Sequence, residues 1–340
     1  MRAAILCTLL AASPAAQAAA ETKCKLAQIA EWPLRPNQYR PVVDGAINGQ
    51  KIGILLDTGS GVSVLRRSAA AKLGVTPTPS GGPQFFGIGG GTQPRLVGVG
   101  GEARAETALI GELRIGDTVR EAWPAVLAGE GEFHDDVAFI LGDDFFEQLE
   151  VEFDLPHNAV RLFQAKDCES AALGYWSKEA LAVPLESGPK MPLSVLINGK
   201  PVVALLDSGA TLSWLSLEGA MHLGITAETR GVIAGGCVRG IGKERTESWI
   251  APLESFAIGD EVVRNPKIRF ANLWLHTRYD VTGSNLRRRI IGLPDMLLGA
   301  DFLRSHRVLV AHSQRKIYFS YSGGTVFPST PGKPCADAKN

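Results

Sequence analysis

Two short stretches carry residues that could act on a substrate as a pair. "ILLDTGSGVSVL", residues 54 to 65, sets one carboxylate, Asp57, at the end of an apolar run and follows it with Thr58, Gly59 and Ser60. "ALLDSGATLSWL", residues 204 to 215, repeats the arrangement with Asp207, Ser208 and Gly209. A lone Asp after a strand is ordinarily a turn former or a helix cap. A carboxylate held away from water is costly unless a partner manages its charge. If the two turns meet at a pseudo-twofold axis, carboxylates about 3 Å apart share one proton and titrate as a coupled pair. Such a pair offers acid and base together. An ionised oxygen can take a proton from water while the protonated carboxyl hydrogen-bonds to a peptide carbonyl, so water attacks without a covalent intermediate. Gly59 and Gly209 permit close backbone approach, and the Thr58 and Ser208 hydroxyls can bond across the axis. Ser60, matched by Ala210, gives the first half alone a further hydroxyl, expected to bond the ionised form of its carboxylate.

The elements that must position these residues are duplicated. "INGQKIGILLDTGSGVSVL" from Ile47 aligns without a gap on "INGKPVVALLDSGATLSWL" from Ile197, an offset of 150. "KLGV" answers "HLGI", "GIG" at 87–89 answers "GIG" at 240–242, "RIGD" at 114–117 answers "AIGD" at 257–260, and "LGDDFF" answers "LGADFL". The order is kept while the offsets drift, as expected where insertions collect in loops. Short runs rich in Val, Ile, Leu and Phe, punctuated by Gly, Pro and Asn, predict mainly β structure. Short helices are expected at "RRSAAAKLG", "SLEGAMHLG", "GDDFFEQLE" and "GADFLRSH". The expected organisation is a leader over 1–20, an N-terminal segment over 21–40, a first domain over 41–165, a connection over 166–189, a second domain over 190–322 and a tail over 323–340.

"LLDTGS" and "LLDSGA", each after an apolar strand and each followed much later by "ILGDDFF" or "LLGADFL", resemble the retropepsin-like aspartic proteases. The resemblance covers most of residues 41–165 and 190–322. It implies two tandem β-barrel domains, paired within one chain as an intramolecular pseudo-dimer, hence a monomer. Asp57 and Asp207 match the catalytic pair of that family, and Thr58 and Ser208 match the hydroxyls that brace it. Phe86, Gly87, Ile88 and Gly89 match one glycine-rich flap, and Gly240, Ile241 and Gly242 the other, with Phe85 and Ile241 further candidates for the groove. The implied activity is endoproteolysis of extended polypeptides, without a cofactor or metal. One departure is that Asp143 and Ala300 follow the terminal Leu-Gly, where the family often has a basic residue.

Other chemistries find little support. The 35 basic and 35 acidic residues balance, leaving no field to attract nucleic acid or an anionic membrane. "LRRRI" at 286–290 reads as a solvated loop, and His134, Asp135 and Asp136 lack calcium-loop spacing. Asp144 and Asp301 fit helix N-termini, where the dipole favours carboxylates. "GVGGEA" at 98–103 has dinucleotide-type glycine spacing but no helix signal after it. The motifs of metalloproteases and serine hydrolases are missing. A non-catalytic periplasmic adaptor or chaperone, using the same groove to hold peptides, is the competing reading. The first twenty residues read as a secretory leader, which implies export across the inner membrane to the periplasm, and no later apolar run suggests a membrane span. Cys7 falls in that leader. The other four cysteines permit three pairings in an oxidising compartment, with Cys24 to Cys168 favoured because they flank the first half, leaving Cys237 with Cys335.

Overall fold

Each half begins with an Asn-Gly hairpin. Asn48 and Gly49 have φ of 49° and 78°, and Asn198 and Gly199 repeat this with 50° and 76°. Two successive positive φ values match the twist of the flanking strands, so the turn fixes the register Ile47↔Gln50 and Ile197↔Lys200. The computed structural model describes residues 24–78, 95–129, 137–187, 190–240, 244–275, 279–281, 287–289, 292–333 and 335. It is mainly β with short helices, as the punctuation of the sequence implies.

In the first half, strands Val42–Ile47, Gln50–Leu56, Val137–Leu141, Val64–Arg66, Thr118–Ala128 and Glu106–Ile115 close into a barrel in that order. Gln50–Leu56 is paired on both sides, antiparallel to Val42–Ile47 and parallel to Val137–Leu141. Its last five residues are all buried, which is why it reads as a continuous apolar run and not as an alternation. The second half arranges the equivalent strands in a nine-stranded sheet, with Lys200–Leu206 again between Leu193–Ile197 and Met296–Leu298. All four expected helices form, at Arg67–Ala70, Asp143–Phe146, Leu217–His222 and Ala300–Leu303. Gly74 and Gly224, both left-handed, follow the first and third, and the Ser216 hydroxyl caps the third by accepting from the Gly219 N–H.

The halves are joined by a six-stranded sheet ordered Lys25–Pro33, Ala159–Lys166, Glu150–Asp154, His306–Ala311, Lys316–Tyr321, Leu181–Pro184. Its central seam pairs Val151 with Val310 and Phe153 with Val308, so the barrels share one backbone ladder. The segment read as a connection therefore contributes an edge strand of its own, Leu181–Pro184, mirroring the N-terminal strand at the opposite edge. Below the sheet, Phe139, Phe146, Phe153, Phe256, Phe302 and Phe319 belong to one core that runs through both halves.

Two sequence readings need amendment or completion. Within "LRRRI", Arg287–Arg289 is a strand paired with Tyr279–Val281, not a loop; backbone pairing here overrides what the charge run suggests. "GVGGEA" turns between strands Arg95–Gly98 and Gly101–Arg104, with no helix to receive a dinucleotide phosphate. The leader, residues 85–89, Ile241, Gly242 and His134 to Asp136 lie outside the described residues. Both disulfides have the favoured pairing, Cys24–Cys168 and Cys237–Cys335. The first ties the outer edge strand to the end of its neighbour across 144 residues of chain. Replacing Cys24 and Cys168 together by Ser is expected to cost about 2–4 kcal/mol, measured by denaturant unfolding of the oxidised protein against the variant.

Candidate active site at the pseudo-twofold axis

Asp57 and Asp207 are held where parallel strands end side by side. The Asp57 N–H donates to the Leu141 carbonyl and the Asp207 N–H to the Leu298 carbonyl, both at 2.9 Å. Each turn is then clasped by an acid from the distant Leu-Gly motif. The Ser63 N–H and hydroxyl donate to Asp144 at 2.9 and 2.7 Å, and Ser213 donates to Asp301 at 2.9 and 2.6 Å. The glycine of each motif, Gly142 or Gly299, donates its N–H to the same serine hydroxyl. Asp144 and Asp301 are thus structural acids, but their main partner is this turn and not the dipole of their own one-turn helix. Burial pushes both carboxyls up, Asp301 to about 6, against the pull of these hydrogen bonds.

Across the axis the hydroxyls exchange bonds reciprocally. The Thr58 hydroxyl donates to the Leu206 carbonyl (2.7 Å) and accepts from the Ser208 N–H (3.1 Å). The Ser208 hydroxyl donates to the Leu56 carbonyl (2.8 Å) and accepts from the Thr58 N–H (3.0 Å). Four bonds thereby lock the two turns face to face. Gly59 and Gly209 follow from this closeness: a methyl on Gly59 would overlap the Asp207 carboxylate, and one on Gly209 the Asp57 carboxylate. Each carboxyl thus lies directly against the turn of the other half. Asp57 Oδ1 also accepts the Gly59 and Ser60 N–H groups, and Asp207 Oδ1 the Ala210 N–H. Ser60 therefore supports the site through its backbone. Its hydroxyl donates to the Val62 carbonyl at 2.7 Å, so the expected extra bond to Asp57 does not form; the carbonyl two residues on lies within reach of the turn.

Burial raises the proton affinity of both acids. Lys190, the Gly59 and Ser60 N–H groups and Arg40 pull Asp57 back, whereas the negative charge of Asp57 adds to the rise at Asp207, which reaches about 7. The two cations were missed in the sequence. Arg40 Nη1 donates to the Gly209 carbonyl at 3.3 Å, and Lys190 Nζ donates to the Gly59 carbonyl. Their spacing of 150, the same as that of the acids, was the available signal.

The segment over the site brings a second glycine-rich turn of the first half to the axis. Strands Ile233–Val238 and Thr246–Pro252 form a hairpin whose turn meets the tip of the 95–104 hairpin from the other half. The Glu244 N–H donates to the Gly100 carbonyl (3.1 Å), Gly240 lies so close to the Val99 carbonyl that a side chain would not fit, and Val99 packs against a cluster containing Leu205, Val238 and Leu297. The turn that meets Gly240 from the first half is thus "GVG" at 98–100. The offset of 142 is one short of that relating "RIGD" to "AIGD", while the earlier pairing with 87–89 departs from it by ten.

A carboxyl whose proton affinity is higher folded than unfolded favours folding below its ordinary range and loses that contribution as pH rises through its folded value. Asp207→Asn, which needs no ionisation, is accordingly expected to melt at a higher temperature than the native protein at pH 8, with the difference shrinking towards pH 4. Thermal unfolding across that range checks it; a difference independent of pH would contradict it.

Comparison with known families agrees with the duplication. The family model described as aspartyl protease matches twice, over residues 43–145 and 193–302, together well over half the chain. No individual curated protein matches it. Both matches contain one Asp-(Thr/Ser)-Gly turn, and each extends to the Asp of a Leu-Gly clasp or into the helix that follows. The chain belongs to the aspartyl protease family, with two tandem domains of that family in a single polypeptide.

Proposed function

We propose that the protein is an aspartic endopeptidase in which Asp57 and Asp207 activate one water molecule against a peptide bond. The observation that supports this reading best is the reciprocal exchange of Thr58 and Ser208 bonds, which holds the two aspartate turns face to face. A buried pair in contact favours the singly protonated state. In that state the ionised oxygen accepts a proton from water, the water oxygen attacks the scissile carbonyl carbon, and the protonated carboxyl donates to the carbonyl oxygen. Collapse of the resulting diol returns a proton to the leaving amine and restores the pair.

The two hairpins provide the cover. With Val99 and Gly100 at one tip and Gly240 at the other, they serve as flaps beneath which an extended polypeptide would lie, its backbone satisfied by strand-like bonds. The halves differ in sequence, so the groove treats the two sides of the scissile bond differently. Reading residues 1–20 as a leader places this activity in the periplasm, in a monomer whose pairing is internal.

Asp57→Asn and Asp207→Asn are each expected to abolish cleavage of an unfolded protein substrate while circular dichroism shows the fold retained. Native activity should fall as pH rises through about 7, where the shared proton is lost. Full activity in either variant would overturn the paired mechanism. A native protein that binds peptides without cutting them would favour the adaptor reading instead.

A further inference from the structure

Arg40 and Lys190 take no part in the water chemistry proposed above, yet they flank it symmetrically. Each lies just ahead of the first barrel strand of its half, Val42–Ile47 or Leu193–Ile197, and each crosses the axis to the carbonyl of the other half's glycine, Gly209 or Gly59. Their backbones are anchored. Arg304 donates to the Gln38 carbonyl at 2.8 Å and lies over the Tyr39 ring, while the Glu186 N–H donates to the Pro192 carbonyl at 2.6 Å and closes the turn bearing Lys190. Among the described residues neither cation forms an ion pair within 4 Å of a carboxylate. The opposing charges that act on Arg40 are those of Asp57 and Asp207.

Charge counting then gives the site a sign. A pair of acids sharing a proton carries one negative charge, against two positive charges from Arg40 and Lys190, so these four groups together carry one net positive charge. Donors are left over as well: a guanidinium has five N–H groups and an ammonium three, and each cation spends one on a glycine carbonyl. Lys190 is exposed and Arg40 half-buried, so the unused donors remain within reach of a ligand. Charge-assisted bonds to a carboxylate are the strongest use for them.

We propose that Arg40 and Lys190 are specificity-determining cations, one on either side of the scissile bond, that select polypeptides bearing aspartate or glutamate near the cleaved position. This rests on the protease reading for the direction of the peptide but is measured separately from it. Matched fluorescent peptides differing only by Glu or Gln on each side of the central bond would be titrated onto the full mature chain carrying Asp207→Asn, with anisotropy as the readout. Glu peptides are expected to bind about tenfold more tightly than Gln peptides, the scale of one part-exposed charge-assisted hydrogen bond, and salt should erode the preference. Adding Arg40→Gln should collapse the ratio for Glu on one side of the bond, and adding Lys190→Gln for Glu on the other, while Arg40→Lys should retain it. Equal affinities for Glu and Gln peptides overturn the proposal. So do Gln variants that weaken both peptides alike and keep the ratio, since that is the signature of a purely structural strap. Cleavage of the Gln peptide by the native protein reports on the protease reading alone, whichever way the ratio falls.

Discussion

Two carboxylic acids pressed together away from water constrain everything built around them. Neither can be fully ionised beside the other without a large cost, and neither can be left without hydrogen-bond partners. The fold answers with backbone N–H groups on one oxygen of each carboxyl, and with glycines where any side chain would push the pair apart. Precision matters more than strength here, because a shift of an ångström would turn a shared proton into two separate buried charges. Three layers supply that precision. Hydroxyl exchange fixes one turn against the other, each serine–aspartate clasp fixes a turn to its own barrel, and the common six-stranded sheet fixes barrel to barrel.

The clasps show how little the site depends on loop length. Ser63 and Asp144 are 81 residues apart, whereas Ser213 and Asp301 are 88 apart, yet the paired distances agree within about 0.1 Å. Insertions and deletions have accumulated between the clasped points, where closing a longer loop adds little entropy cost. Both strands that carry the acids end in three consecutive buried residues, Ile54–Leu56 and Ala204–Leu206, and do not tolerate such drift. One half thus keeps a closed barrel while the other opens into a nine-stranded sheet, without moving its aspartate relative to the axis.

Much of this was legible in the sequence because the strongest signals are local and occur twice. Asp57 with Thr58 and Gly59, and Asp207 with Ser208 and Gly209, announce their turns, and the left-handed Gly74 and Gly224 follow two of the four short helices as written; Asp144 and Asp301 were read at helix N-termini, not as clasps. What escaped notice depends on chain crossing between halves. Arg40 and Lys190 look like ordinary surface cations until the axis brings each to the other half's glycine. The 98–101 turn was weighed only as a nucleotide motif, because two "GIG" triplets matched better as letters than "GVG" and "GIG" did. Val and Ile are equivalent at such a tip, and the offset of 142, one short of the 143 that relates "RIGD" to "AIGD", was the available signal. Ser60 misled for a related reason: its hydroxyl satisfies a carbonyl two residues on before it can turn back to the acid.

Covalent linkage explains why the halves are free to differ. In a dimer of identical chains every substitution appears on both sides of the axis, so a residue suited to one side of the cleft must be tolerated on the other. In a single chain the second copy is always present at high effective concentration, and charge pairing between the halves is not needed to hold them together. Asp143 and Ala300 fit that relaxation, occupying matched places with unrelated chemistry. Differences near the acids fit it too: Val64 is matched by Trp214, and a rigid arginine at position 40 by a flexible lysine at position 190. The serine–aspartate clasps within each half stayed identical, and the hydroxyls that exchange bonds across the axis stayed chemically alike. Thr58 and Ser208 differ by a methyl group, but each must offer one hydroxyl at one place, because losing either would leave a carbonyl and an N–H of the opposite half unsatisfied beneath a buried charge.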